Sequence, residues 1–428
     1  LKPQTSNLKP QTSNLKLLYL CPMLFQSVIG QKEIKVQLLH MIQQNRLSHA
    51  LLFLGKEGSG ALQLAIAFAN YISLPKNIEV KKKEASLFGD EPEETKPLTN
   101  PTTPAEIDTW MQQQPGWSKL RDMVHPDIHY SYPVVPRKSG DKPISTDYIK
   151  EWREFTTSNP YGNVYDWLQF IGAENKQGNI TANECSDIIR KLNLKSFESG
   201  YKILIMWMPE LLGKEGNKLL KLIEEPPADT LFILVAENES LILPTILSRT
   251  QLIKIPQLSA LDIESALEIR EGVSLQKGQQ VAAISAGNYH EALQQLRHAE
   301  DDWEVFLRDW LNSIIKTGPV AQLKWIEDIS KIGREKQKQF LKYFVHILEI
   351  ATRLRFIPAD AEMQERADVA FALKFNKICD INQQEAIVNE LDQAAYFIER
   401  NANAKILFHA LTIKIYHIIS NKSVILMQ

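Results

Sequence analysis

Residues 50–62 read ALLFLGKEGSGAL, and the order of features in this stretch decides the fold class. The apolar run at residues 50–54 is typical of a strand buried inside a parallel sheet. A Gly-rich turn follows at residues 55–60, and Leu62 and Ile66 then recur at the spacing of an amphipathic helix. A strand, a Gly-rich turn and a helix in this order are the setting of a phosphate-binding loop. The stretch therefore predicts an α/β core with a P-loop-type parallel sheet.

The turn lacks the residues that bind a nucleotide. A working loop reads G-x-x-x-x-G-K-[ST]: backbone N–H groups hold the phosphates, the Lys reaches the β- and γ-phosphates, and the hydroxyl holds Mg²⁺. Here Ala61 stands at the Lys position and Leu62 at the Ser/Thr position. The degenerate loop comprises Gly55, Gly58, Ser59, Gly60, Ala61 and Leu62. From this stretch alone, an ordinary strand–helix turn and a nucleotide site without its chemistry both remain open.

Length and composition limit the classes of protein to consider. A chain of 428 residues with 44% hydrophobic and 23% charged residues predicts a globular protein of two to four domains. The net charge of −2 argues against a basic tail, so any nucleic-acid contact must be a local patch. Cys21, Cys185 and Cys379 are far apart, which predicts no cysteine zinc site and fits a reduced, cytoplasmic setting. No apolar run is long enough to span a membrane.

Two segments have the composition of disorder or of surface insertions. Residues 1–22 begin with a direct repeat of LKPQTSN, and their apolar run at residues 17–20 is shorter than a signal-peptide core. We expect a disordered upstream extension, with Met23 as an alternative first residue. Residues 76–106 are rich in charged residues, Pro and Thr, which predicts a flexible polar insertion near residues 76–117.

A second buried-strand pattern, residues 201–208, also lacks the expected chemistry. In nucleotide hydrolases of the P-loop type, an acidic residue near the end of this strand holds Mg²⁺. Trp207 and Met208 occupy the corresponding positions here, and neither side chain holds a metal or accepts a proton. Core packing is the simplest interpretation of Trp207.

Four segments carry a family resemblance: FQSVIGQ at residues 25–31, RLSHALLFLG at 46–55, NKLLKLIEEPP at 217–227 and LPTILSRT at 243–250. Together they resemble the AAA+ clamp-loader subunits of bacterial DNA polymerase III, over Phe25 to about Ile255. The substitutions at Ala61, Leu62, Trp207 and Met208 favour the delta-prime type, whose nucleotide site is lost, over the ATP-binding gamma/tau type.

The resemblance implies an order of domains. Residues 1–22 would be the extension, 23–257 the AAA+ α/β core, 258–299 a helical lid and 300–428 a helical collar for oligomerisation. The long amphipathic helices of the last segment fit a collar. Their apolar stripes fit either an intramolecular core or an interface with other subunits.

The resemblance also implies roles for particular residues. Ser248 and Arg249 match two of the three positions of the family's Ser-Arg-Cys motif, which implies an arginine finger for ATP on a neighbouring subunit. The alternative is that Arg249 forms a surface ion pair. His290 falls where the second sensor helix of the family carries an Arg, and Ala236 or Glu237 stands at the first sensor position. We expect neither a tightly bound nucleotide nor zinc in this chain.

The predicted function is that of a clamp-loader subunit without ATPase activity of its own. Its expected partners are gamma/tau-type and delta-type subunits, the sliding clamp and, through the assembly, primed DNA. An active gamma/tau-type ATPase and a stand-alone DNA-binding regulator remain as alternatives.

Overall fold

The computed structural model describes most of the chain from Met23 to Asn421. The described ranges are residues 23–44, 46–74, 103–138, 140–173, 176–297, 303–356, 367–400 and 402–421. They fall into two compact units, which meet in the chain between Leu296 and Arg297. The predicted extension at residues 1–22 and most of the predicted insertion, residues 76–102, lie outside the described residues.

The first unit contains a parallel sheet, as the sequence predicts, and this sheet has five strands in the described residues. Its strands are β1 (Ala50–Gly55), β2 (Ile128–Ser131), β3 (Lys202–Trp207), β4 (Thr230–Ala236) and β5 (Gln251–Ile255). Their order across the sheet is β2-β3-β4-β1-β5, and all four pairings are parallel. The Gly-rich loop, residues 55–60, therefore leaves the sheet at the carboxyl edge of β1, between β4 and β5.

Burial on both faces explains why the central strands are apolar without alternation. In β3, Ile203 and Ile205 contribute to one apolar core, whereas Leu204 and Met206 contribute to a second core on the opposite face. Every residue of β3 and of β4 is buried.

Helices cover the two faces of the sheet. Those before β4 are α1 (Lys32–Gln43), α2 (Ala61–Ser73), α3 (Pro104–Gln112), α4 (Trp117–Arg121), α5 (Ile149–Ser158), α6 (Val164–Phe170), α7 (Ala182–Leu192) and α8 (Leu220–Glu224), and α9 (Pro244–Leu247) precedes β5. Turns of 3₁₀ helix occur at Ser145–Tyr148, Pro209–Leu219 and Glu239–Leu241. The helix that follows the Gly-rich loop is buried along its whole length, so the prediction of an amphipathic helix there is wrong.

The prediction of a polar surface insertion is wrong for its last part. From Pro104 the chain forms α3, which begins with a capping box between Thr103 and Glu106. Ile107 and Met111 are fully buried in the core. Asp108 is buried as well, and its carboxylate accepts N–H bonds from Phe25 and Gln26 at 2.9 and 2.7 Å. This carboxylate therefore anchors the start of the described chain.

The remaining helices of the first unit form a lid, defined here as residues 258–296. Its helices are α10 (Ala260–Ala266), which continues as a π-helical turn at Leu267–Glu271, α11 (Leu275–Ile284) and α12 (Tyr289–Arg297). Ile263, Leu267 and Ala292 are fully buried in an apolar cluster of their own, to which Ile29 and Tyr161 also belong. The lid is thus packed on the sheet-bearing part of the same unit.

The second unit is helical in its described residues. It contains α13 (Trp303–Asn312), a π-helical turn at Ser313–Thr317, α14 (Pro319–Lys331), α15 (Arg334–Phe356), α16 (Ala367–Phe375), α17 (Ile381–Glu399) and α18 (Ala404–Asn421). Trp310 and Trp325 stack at its centre with their rings 4.6 Å apart. In the described part of the chain, no helix has the length and apolar character needed to cross a membrane.

Candidate functional site: a closed Gly-rich loop

The Gly-rich loop keeps the backbone form of a tight strand–helix turn. Gly58 and Gly60 have φ angles of 72° and 85°, and residues other than glycine rarely adopt such backbone conformations. A Cβ atom on Gly58 would lie 1.9 Å from the Asn288 side chain, so the lid packs directly against the loop. Gln31 adds a contact from below, since its Nε2 donates to the backbone oxygens of Ser59 and Pro256 at 3.1 and 2.7 Å.

The positions that would supply a cation and a metal ligand are apolar and buried. Ala61 and Leu62 begin α2 and belong to the main core. Trp207 ends β3 and is buried against other aromatic rings, with centroids 5.3 Å from Trp152 and 6.3 Å from Phe155. The interpretation of Trp207 as a core residue is therefore confirmed.

The Tyr161 ring packs against the loop at Gly60. A Cβ on Gly60 would be 3.1 Å from the Tyr161 ring. The Tyr161 hydroxyl accepts the N–H of Ile29 at 2.8 Å. The loop, Tyr161 and Trp207 line a cavity of about 30 Å³, which is about the volume of one water molecule.

His290 joins the lid to the loop. Its Nδ1 lies 2.9 Å from Oε1 of Glu57, in the loop, and its Nε2 lies 2.6 Å from Oδ2 of Asp166, in the first turn of α6. Burial alone would lower the pKa of His290, but hydrogen bonds and charge interactions with Asp166 and Glu57 outweigh burial and raise this pKa from 6.5 to about 10. The imidazole is therefore a cation at neutral pH, with a carboxylate at each nitrogen.

Further contacts hold the lid in place around His290. The N–H of Tyr289 donates to the carbonyl of Gly58 at 3.3 Å. The Arg270 guanidinium donates to the carbonyl of Ser27 at 2.5 Å and lies 5.7 Å from the rings of both Tyr161 and Tyr289. These two contacts tie the lid to the loop and to the chain before α1.

At the first sensor position, the turn after β4 is fixed by a carboxylate of the chain itself. Oε1 of Glu210 accepts the N–H groups of Glu237 and Asn238 at 2.6 and 2.9 Å. Burial raises the pKa of Glu210, although these backbone bonds oppose the rise. The backbone donors beside Ala236 are therefore already used within the chain.

Arg249 lies near the amino-terminal ends of the strands, opposite the end at which the Gly-rich loop lies. It precedes β5, whose residue Gln251 is in register with Leu51 near the start of β1, whereas the loop follows Gly55 at the far end. Four strand steps of about 3.3 Å separate these two levels by about 13 Å. The structure thus brings His290, Trp207 and the loop together, and places Ser248 and Arg249 elsewhere.

Within the chain, Arg249 forms an ion pair, the alternative to a finger role that the sequence left open. Its Nε donates to Oε1 of Glu224 at 2.5 Å, and its Nη1 donates to the carbonyl of Thr245 at 2.7 Å and to Oγ of Ser248 at 3.2 Å. The Arg249 side chain is 32% exposed. Its partner Glu224 lies at the end of α8.

Sequence reasoning missed three of the residues that close the loop: Glu57, Tyr161 and Asp166. Glu57 is visible within the loop, as a carboxylate where phosphates would bind. Asp166 is recognisable only as the partner of Asn163 in a capping box, which the structure contains. No local signal links either residue with His290, because the contact depends on how the lid packs.

Comparisons with known proteins agree with the resemblance seen in the sequence. Residues 112–259 match the family described as DNA polymerase III, delta subunit. DNA polymerase III subunit delta′ of Bacillus subtilis (strain 168) is 25% identical over 270 residues, which are 63% of this chain and 60% of that protein. The alignment thus spans about three fifths of this relative's length.

Solved structures of low identity also match. A gamma subunit-related protein of DNA polymerase III from Thermotoga maritima has a TM-score of 0.36 at 13% identity, with 89% of this chain and 98% of that chain covered. The clamp loader delta protein of Bacillus subtilis has a TM-score of 0.24 at 12% identity, with 70% and 98% covered. Over these residues, the chain is therefore similar to the delta subunit family of DNA polymerase III and to the Bacillus subtilis delta′ subunit.

Proposed function

We propose that this chain is a clamp-loader subunit that binds no nucleotide itself and offers Arg249 to ATP on a neighbouring gamma/tau-type subunit. The observation that supports the first half of this proposal, that the chain binds no nucleotide, is the packing of side chains around the Gly-rich loop. Tyr161 and Trp207 leave room for about one water molecule above it, and Ala61 and Leu62 provide neither a cation nor a metal ligand.

Charge supports the same half of the proposal. An incoming triphosphate would meet the carboxylates of Glu57 and Asp166, with the imidazolium of His290 already shared between them. Like charges in a poorly hydrated site repel strongly, so nucleotide binding would require the lid contact to break first.

The position of Arg249 supports the second half of the proposal, that Arg249 acts on ATP bound to a neighbouring subunit. Arg249 is too far from the chain's own loop to act on a nucleotide there, so any role in hydrolysis must be in trans. A partly exposed ion pair contributes about 0–1 kcal/mol. Its partner Glu224 can therefore yield the guanidinium to the phosphates of a neighbour's ATP, which an Arg can bind with two parallel hydrogen bonds.

The proposed partners are gamma/tau-type and delta-type subunits in the cytoplasm, and through them the sliding clamp and primed DNA. The helical unit supports assembly, because large apolar side chains remain exposed there: Val320 is 82% and Ile406 70% exposed. Contact with DNA, if the assembly positions this chain on it, would be to backbone phosphates.

A calorimetric titration of the full chain with Mg-ATP tests the first half. We expect no binding heat at millimolar nucleotide. Tight, magnesium-dependent binding followed by turnover would instead favour the gamma/tau-type ATPase. Salt-dependent DNA binding by the lone chain, with no affinity for a gamma-type subunit, would favour a stand-alone regulator.

Arg249→Ala in a reconstituted loader tests the second half. Arginine fingers contribute on the order of 10³–10⁵ to the rate at the site they serve. We therefore expect that site's share of the clamp- and DNA-stimulated ATPase to disappear while the complex still assembles. Arg121→Ala is the matched control, since Arg121 is also an exposed Arg paired with a carboxylate, Asp122. An ATPase rate equal to that of the control would refute the finger assignment.

A further inference from the structure

Three parts of the first unit that are distant in sequence meet at one buried side chain. Glu57 comes from the Gly-rich loop, Asp166 from α6 in the connection between β2 and β3, and His290 from α12 in the lid. The His290 side chain is 5% exposed, against 28% for Glu57 and 17% for Asp166. The charged centre of the contact is therefore away from water, and its carboxylates are only partly hydrated.

We propose that His290 is a proton-dependent clasp, whose imidazolium holds the lid, the Gly-rich loop and α6 together as one unit. The inference depends on the proposed function in one respect, that the loop holds no nucleotide. It makes no use of Arg249, the helical unit or any partner.

The geometry favours the charged form of the ring. A neutral imidazole has one N–H and one lone pair, whereas the cation donates from both nitrogens. Both ring nitrogens of His290 face carboxylate oxygens, at 2.9 and 2.6 Å, and an ionised carboxylate can only accept. Loss of the proton would turn one of these hydrogen bonds into a repulsion between a lone pair and a carboxylate.

The groups that face His290 come from each element packed against it. Glu57 and Asp166 are the charged groups that act on it. From its own helix, the amide of Gln294 lies 3.2 Å from Nε2 and carries no charge. The amide of Asn288 donates to Glu57 at 3.3 Å and so supports the carboxylate rather than the ring. The imidazolium faces both carboxylates, so the contact at each ring nitrogen depends on its proton.

The clasp makes lid opening and loop exposure a single event. If His290 leaves, Glu57 and Asp166 each lose their contact with the imidazole. Tyr289, the next residue in α12, also gives up its hydrogen bond to Gly58. Removal of one partner from a buried charged contact leaves the others uncompensated, so partial opening is unfavourable.

Hydrogen–deuterium exchange on the full chain tests the coupling. The test variants are His290→Gln and Asp166→Asn, and His40→Gln makes the same change at an exposed histidine of α1. At pH 7 we expect the exchange rates of α12 and of the Gly-rich loop to rise together, by about tenfold or more, in both test variants. In the control variant, we expect neither rate to change. Exchange that rises in one segment alone, or in neither, overturns the clasp.

Nuclear magnetic resonance gives a second readout, which holds even if His290→Gln does not fold. The imidazole Cε1–H signal of His290 is assigned by comparing the variants. It is the histidine signal that shifts in Asp166→Asn and is still present in His40→Gln. We expect its titration midpoint in the wild-type chain to lie well above 6.5, and to fall in Asp166→Asn. A midpoint near 6.5 in the wild-type chain overturns the proposal. Neither experiment involves nucleotide or partner subunits, so failure here is distinguishable from failure of the proposed function.

Discussion

The pH dependence of stability provides a quantitative test of the charge on His290. Its pKa in the folded chain is about 10, against 6.5 for an ordinary His. A group whose pKa is raised on folding stabilises the fold fully below its unfolded pKa, and this stabilisation disappears as the pH rises through the folded pKa. From pH 7 to pH 9, the wild-type chain should therefore lose stability relative to a chain without this imidazole.

The size of the loss follows from the same values. One pKa unit corresponds to about 1.4 kcal/mol, so two pH units inside this window give an upper limit of about 2.7 kcal/mol. Because Glu57 and Asp166 are partly exposed, at 28% and 17%, water screens some of the interaction. We expect about half the upper limit, or about 1–2 kcal/mol.

Urea unfolding of wild-type and His290→Gln chains, at matched pH values from 6 to 9, measures this quantity. The difference between the two chains cancels the titration of groups that they share, including Lys35, whose pKa burial lowers to about 8. We expect the wild-type advantage in unfolding free energy to be largest at pH 6–7 and to shrink steadily towards pH 9. An advantage that is constant or that grows with pH would mean that His290 is neutral in the folded chain.

Three further outcomes follow from contacts within the first unit. The double change Ala61→Lys and Leu62→Thr restores the consensus sequence of the loop. We expect calorimetry to show no Mg-ATP binding by this variant, because Tyr161 still lies over Gly60. Binding in the micromolar range would contradict this expectation. Trp207→Asp should lower the unfolding free energy, measured in urea, by at least about 3 kcal/mol. The substitution leaves a cavity and buries a carboxylate among aromatic rings. A loss below about 1 kcal/mol would show that the site is open to water. Asp108→Ala should cost about 1–3 kcal/mol in the same assay by removing the acceptor of the Phe25 and Gln26 N–H bonds, whereas a neutral effect would mean that water replaces it.

The parts of the fold that could be predicted are those whose signals are local. The apolar runs that became β1, β3 and β4 are readable because both faces of the sheet are covered. The missing chemistry at Ala61, Leu62 and Trp207 is also local, since the phosphate-binding pattern fixes which position should carry which side chain.

The parts that could not be predicted depend on tertiary contacts or on averaged composition. The charged and Pro-rich residues before Pro104 obscured α3, although Ile107 and Met111 are core residues. The Asn-rich break near Tyr161 reads as a loop, and nothing near it in sequence reveals that its ring covers Gly60. Likewise, the sequence offered a finger or an ion pair for Arg249, and the choice of Glu224 as partner depends on how the end of α8 lies beside the turn before β5.

The charges around the Gly-rich loop also explain how the lid is held in place. In a nucleotide-bound site of this type, anionic phosphates at the loop attract cationic side chains. Here the anions at the loop are Glu57 and Asp166, and the cation from the lid is His290. The same pattern of charge holds the lid, but both signs belong to the chain itself. The contacts that hold this lid against the loop are therefore made by side chains of the chain itself.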